Sequence, residues 1–331
     1  MLFAVIFLGI IFLYFLLCYV CFRVACVRGR PSDRTRETFR ADHILAPFAD
    51  RFRKAGEWLD AQKTEPIYIE SFDGLRLYAD YLPLEGSRKT IVAMHGYHSS
   101  YRSDFSIVLP YYRELGYNIL LVDQRAHGQS EGRYLSYGIL EKYDVLSWVN
   151  ELNRRFPETE TIVLDGMSMG ASTVLMVTGL ELPENVRAVV ADCGFSGGWD
   201  IVNITARKIN RHIPKVVLST VNFFCRIFAD YDLRDDNTLL AMQKCKIPVL
   251  FVHGTGDTFV PCEMTLRNYA TCRAKKELLT VVGAEHGMSF LRNEPLCRKT
   301  LSAFLKKYGD VPENRSNDES QGDEEQQNPE E

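Results

Sequence analysis

Five residues, Gly166-Met167-Ser168-Met169-Gly170, have the types and spacing of an acyl-transfer nucleophile. The apolar run Thr161 to Leu164 before them reads as a strand, and the run Ala171 to Leu180 after them as a helix. Flanking glycines let a strand turn sharply into a helix and hold the serine hydroxyl exposed at the strand's carboxyl end. The NH of Met169 then lies at a helix N-terminus, where partial positive charge favours an oxyanion. The same G-x-S-x-G pattern recurs at Gly194-Phe195-Ser196-Gly197-Gly198. Ser196 runs into Gly-Gly-Trp-Asp, a poor helix start, so Ser168 is the expected nucleophile and Ser196 belongs to a glycine-permitted turn.

A serine hydroxyl needs a base, and the base an orienting acid. Of the seven histidines, His286 stands between Gly283 and Gly287, in a loop after the last strand and before a terminal helix. From there it can reach back over a sheet. His95 and His253 close strands ahead of glycines and are expected to brace loops. Asp257 ends the stretch from Ile247 in a Gly-rich turn and is the expected acid. Asp192, at the end of the preceding strand, is the rival, with hydrogen bonding to loop NH groups as its simpler role.

These residues need a scaffold, and the hydropathy pattern supplies one. Pro66 to Glu70 and Leu75 to Leu82 alternate around Asp73-Gly74, the pattern of a half-exposed hairpin. Thr90–Met94, Asn118–Val122, Thr161–Leu164, Arg187–Ala191, Ile247–Val252 and Glu277–Val282 are Val-, Ile- and Leu-rich runs suited to parallel strands buried on both faces. Helical stretches at about Ser103–Leu115, Ile139–Phe156, Ala171–Leu180, Cys262–Arg273 and Met288–Lys307 separate most of them. Such alternation implies an α/β fold with a mostly parallel, doubly wound sheet. The interval from Ala191 to Ile247 is too long for a connection. Ile201–Ile213 and Val216–Phe228 within it predict a helical cap, at about 196–244 after the sixth strand, over the strand ends where ligands of such sheets bind.

Four signatures now agree: His95-Gly96-Tyr97 after a strand, Asp123 to Ser130, the turn at Ser168, and His253 to Asp257 followed by Val260-Pro261. Over about residues 65–308 the chain resembles the α/β-hydrolases, most of all the serine aminopeptidase-like and monoacylglycerol-lipase-like branch. The order Ser168, Asp257, His286 is the one this fold uses. The resemblance implies that Tyr97, after His-Gly, gives the second oxyanion NH beside that of Met169, and that the Asp123 to Ser130 loop is structural. The family's usual glycine is replaced by Ala126, which bears on the local turn.

The two ends differ from the middle. Met1 to Phe22 has no charged residue and is long enough to cross a hydrocarbon core, so 1–22 predicts a transmembrane helix; a signal peptide would want a basic start and a small-residue cleavage site. Arg23, Arg28, Arg30, Arg34, Arg36 and Arg40 follow it, which predicts a cytoplasmic domain. Residues 23–64 read as a basic linker and an amphipathic helix carrying Ile44, Phe48, Phe52, Ala55 and Leu59, docked on the domain or on lipid. Residues 309–331 read as an acidic, disordered tail.

Other chemistries lack their residues. A net charge of -4 gives no basic field for nucleic acid, and nine scattered cysteines read as reduced thiols. There is no H-E-x-x-H, no paired Cys/His spacing, no phosphate loop and no G-x-G-x-x-G after the first strand, so no cofactor and no metal are implied. With a membrane span and an apolar cap, a hydrophobic acyl ester is the expected substrate. A peptidase or aminopeptidase, an acyl-protein thioesterase, and a non-catalytic binding protein on the same scaffold are the alternatives.

Overall fold

The computed structural model describes residues 1–29 and 45–310. Part of the basic linker, Ile44, and the acidic tail beyond Asp310 fall outside the described residues. β1 (Glu65–Glu70) and β2 (Arg76–Leu82) form an antiparallel hairpin across Asp73-Gly74, and β2 pairs antiparallel with β4 (Asn118–Asp123). β4 and the strands β3 (Lys89–Met94), β5 (Thr161–Met167), β6 (Val186–Asp192), β7 (Val249–Gly254) and β8 (Lys276–Val281) are mutually parallel, in the sheet order β1-β2-β4-β3-β5-β6-β7-β8. The order reverses at β3, which lies between β4 and β5, so a crevice opens beyond the carboxyl ends of β3 and β5.

Strand residues point alternately to the two faces. Val92, Leu120, Leu164 and Val189 pack on one core, and Ile91, Ile119, Val163 and Val190 on the other. Both faces are therefore dry, which is why these strands read as unbroken apolar runs. Each fully buried Val or Leu contributes roughly 1.5–3 kcal/mol.

The helices are α1 (Leu2–Cys26), α2 (Ala49–Asp60), α3 (Tyr101–Phe105), α4 (Leu109–Glu114), α5 (Glu141–Arg155), α6 (Met169–Val177), α7 (Gly198–Ile209), α8 (Lys215–Phe228), α9 (Thr238–Lys244), α10 (Cys262–Thr271), α11 (Ser289–Arg292) and α12 (Glu294–Phe304). Several depart from the expected spans. The predicted helix Ser103–Leu115 is two short ones, because Pro110 lacks an NH and is tolerated only in a first turn. Met288–Lys307 splits likewise, with Asn293 capping the NH of Leu296 ahead of Pro295. The apolar helix α1 runs four residues beyond Phe22, through Arg23 to Cys26. α2 follows a 3-10 turn, Ala46–Phe48, and docks on the domain. Leu59 is buried, Arg102 forms a two-bonded ion pair with Asp60, and Arg51 reaches Leu291 O and Glu294.

The interval after β6 holds α7, α8 and α9. α7 starts at Gly198, on the Gly-Gly-Trp-Asp stretch expected to be a poor helix start. Packing overrides propensity there: a Cβ on Gly198 would lie 3.0 Å from Leu233 and 3.1 Å from Tyr137, so the glycine is needed for close approach.

Candidate active site

β5 delivers Ser168 to the crevice. Ser168 has φ 55 and ψ -112, outside the conformations an L-residue prefers, at a cost of order 1–3 kcal/mol. The turn is tight enough to dictate both glycines. A Cβ on Gly166 would meet Gly170 O at 2.3 Å, and one on Gly170 would meet Met94 O at 1.8 Å. α6 begins at Met169, whose NH is among those a helix cannot satisfy internally.

The three expected side chains meet. The Ser168 hydroxyl donates to His286 Nε2 at 2.9 Å, and His286 Nδ1 donates to Asp257 Oδ2 at 2.7 Å. His286 comes from the loop after β8, and the edge of its ring is held by Phe259, with centroids 5.0 Å apart. The Asp257 side chain is fully buried. Burial works against its charge, but hydrogen bonds from His253, His286 and the Val260 NH hold its carboxyl well below the usual range. It is thus an anion facing the imidazole. The NH groups of Phe259 and Val260 both donate to its other oxygen at 2.8 Å, which fixes the plane of the carboxylate.

The remaining expected residues fall as follows. Asp192 is not bonded to His286; its Oδ1 accepts from Ser289 Oγ at 3.2 Å. Ser196 is buried and donates to Asp200 Oδ2 at 2.6 Å. Tyr97 follows Gly96, where an added Cβ would be 3.3 Å from Ser168 Cβ, so the Gly96-Tyr97 peptide lies beside Ser168. His95 braces its loop by accepting from the Gln124 NH at 3.2 Å. Ala126 has φ 60, the left-handed conformation glycine adopts freely. In the same loop Arg125 pairs with Asp144 and Asp73.

Two features had no signal in the sequence. His253 is more than a loop brace: its Nε2 is 3.1 Å from Asp257 Oδ2 and 3.0 Å from Val260 O. Cys193 brings its sulfur within 4.8 Å of the His286 and Asp257 ligand atoms, a spacing open to a metal ion. Burial, then the carboxylates of Asp192 and Asp257, push that thiol well above its ordinary range. It stays protonated near neutral pH and is a poor ligand.

A cavity of about 1160 Å³ contains Ser168 and His286. Phe52 and Gly56 of α2, Phe105 of α3, Val252, Leu279 and Arg28 line it. The helix α2 is thus one wall.

Residues 85–226 match the serine aminopeptidase family S33. The uncharacterized protein YqkD of Bacillus subtilis is 28% identical over 272 residues, which cover 82% of this chain and 89% of YqkD. The alpha/beta hydrolase domain-containing protein WAV2 of Arabidopsis thaliana is 27% identical over 263 residues, covering 77% and 82%. A solved esterase of Pyrococcus furiosus superposes with a TM-score of 0.63 at 25% identity, over 76% of this chain and 93% of that one. Sheet order, the turn at Ser168 and these matches agree on an α/β-hydrolase fold, with residues 85–226 carrying a likeness to the serine aminopeptidases.

Proposed function

We propose that the protein is a membrane-anchored serine hydrolase that cleaves hydrophobic acyl esters through an acyl-enzyme. The observation that carries this reading is the hydrogen-bonded chain from Ser168 through His286 to Asp257, opening on a cavity with apolar walls. Ser168 Oγ attacks the acyl carbonyl while His286 Nε2 takes its proton. The tetrahedral intermediate collapses, the alcohol leaves with that proton, and water then attacks the acyl-enzyme with His286 again as base. Asp257 holds the tautomer and balances the imidazolium. The NH groups of Met169 and Tyr97 receive the oxyanion, each such donor being worth about 3 kcal/mol in related settings.

The likeness to an esterase supports the ester class. The match to a serine aminopeptidase family makes aminoacyl amides the second reading. α1 is long and apolar enough to cross a membrane, and the arginines after it favour a domain on the cytoplasmic side.

A fluorophosphonate probe, with a panel of esters, thioesters and aminoacyl amides, tests the proposal. Ser168→Ala should abolish labelling and turnover, whereas Ser196→Ala should leave both within about tenfold. Labelling that survives Ser168→Ala overturns the mechanism. Faster turnover of aminoacyl amides overturns the ester class alone. Digestion of the domain by protease added to intact cells overturns the orientation.

A further inference from the structure

The second half of α1 is packed against the cap. Tyr14 and Thr220 share a hydrogen bond of 2.7 Å, Phe15 and Tyr19 meet Phe224 edge-on, Phe22 lies against Phe224 and Phe228, and Cys26 Sγ is 3.6 Å from Cys225 Sγ. Tyr14, Cys18, Cys21, Phe22, Ala25 and Cys26 form the less exposed stripe of α1. Its small members let the two helices approach closely.

Helix length makes this packing informative. A hydrocarbon core of about 30 Å needs about 20 helical residues at 1.5 Å each. Only the stretch Leu2–Leu13 precedes the Tyr14–Thr220 hydrogen bond to α8, and it covers about 18 Å. A membrane-crossing α1 must therefore carry the part of α8 beside Tyr14 to Tyr19 into the apolar layer.

We propose that cap helix α8 is itself seated in the membrane leaflet beside α1, with Val216, Phe223 and Ile227 against lipid acyl chains. This rests on reading α1 as a membrane anchor. Val216, Phe223 and Ile227 are 59%, 47% and 57% exposed, and Phe223 lies against Phe224, which meets Phe15 of α1. The polar atoms at the contact are closed on themselves: Tyr14 bonds to Thr220, and Thr220 donates to Val216 O at 3.0 Å. That is what a site without water requires. Arg226 is exposed near the end of the same helix, and its long stem lets the charge reach headgroups. Arg28, two residues beyond α1, lines the cavity that contains Ser168. An ester whose acyl chains lie in the bilayer can then enter from the leaflet without crossing bulk water.

Photocrosslinking of the full chain in phosphatidylcholine–phosphatidylglycerol vesicles tests the seating. A benzophenone amino acid replaces, in separate proteins, Phe223, Phe7 in the free half of α1, or exposed Glu158 just before β5. Retained cleavage of a short water-soluble ester, within about twofold, shows that each protein is folded. Lipid adducts at position 223 within about threefold of those at position 7, and at least about tenfold above position 158, are expected from an interfacial helix. Adducts at position 7 but not at 223 overturn the seating of α8 and leave the anchor standing. Adducts at neither position overturn the anchor reading, and the seating with it.

Discussion

The hydroxyl of Tyr97 donates to the carbonyl oxygen of Ala25 at 3.1 Å, tying the loop beside Ser168 to the last turn of α1. It reaches Val24 O at the same distance, and Tyr137 donates to Ala25 O at 2.6 Å. Arg28 donates to Ser130 O at 2.6 Å and also to Gly128 O, while Val27 pairs with Tyr134. The end of α1 is therefore part of the wall of the site, not a tether hung from it.

Truncation should separate these roles. Removing residues 1–13 should leave hydrolysis of a short soluble ester nearly intact. Removing residues 1–29 should lower kcat by tenfold or more, because the Tyr97 loop loses its partners. Tyr97→Phe, which deletes only the hydroxyl, should cost about 1 kcal/mol, or roughly fivefold in kcat, with KM little changed. Equal activity of the two truncations would show that the loop holds its shape without α1.

The acid is tested by two amide substitutions. Asp257→Asn keeps the shape but loses the charge facing His286 and the correct tautomer, so turnover should fall by about 10³ to 10⁴ with the fold preserved. Asp192→Asn should cost less than about tenfold, since Asp192 bonds to Ser289 rather than to the imidazole. The opposite ranking, read from kcat at matched thermal stability, would move the acid back by one strand.

Much of this site was legible because its chemistry is local. The two elbow glycines, the strand before them and the order Ser168, Asp257, His286 are properties of short stretches, and steric need at Gly166 and Gly170 explains why they are readable. What was not legible depends on long-range packing. No spacing shows that α2 walls the cavity, since it is held by Arg102 and Glu294 from distant parts of the chain. Nor does any motif show that His253, at the end of β7, turns its Nε2 onto Asp257. The helix start at Gly198 defeated propensity for the same reason, because a glycine demanded by Leu233 and Tyr137 looks like a breaker in one dimension.

Ala126 gives a case where opposed terms nearly cancel. Its left-handed conformation costs roughly 1–2 kcal/mol, which glycine would relieve. Against that, Ala126→Gly gives up a buried methyl worth about 0.8 kcal/mol and adds backbone freedom worth about 0.5–1 kcal/mol. The net change in unfolding free energy should stay within about 1 kcal/mol, whereas Ala126→Val, β-branched at the same φ, should destabilise by more than about 2 kcal/mol. Urea melts of both variants decide it, and a large gain for the glycine would show that the strain is greater than the angle suggests.

Three residues before Ser168, Asp165 makes a pH prediction. Burial, then the neighbouring Asp192, raise its pKa to about 7, although the Tyr112 hydroxyl and the Gly166 NH work the other way. In the unfolded chain the same carboxyl titrates near 3.9. Below pH ~4 it is neutral in both states and costs the fold nothing. As pH rises from there to 7, the unfolded chain gives up the proton first, so the fold loses stability until the group ionises in both states. Asp165→Asn keeps an oxygen for Tyr112 to donate to and removes the titration. Its stability relative to the parent should therefore rise between pH 5 and pH 8, read as the difference in Tm at each pH, with titrations common to both proteins cancelling. A Tm difference that is the same at both pH values would mean that the Asp165 carboxyl ionises in the fold as readily as it does in water.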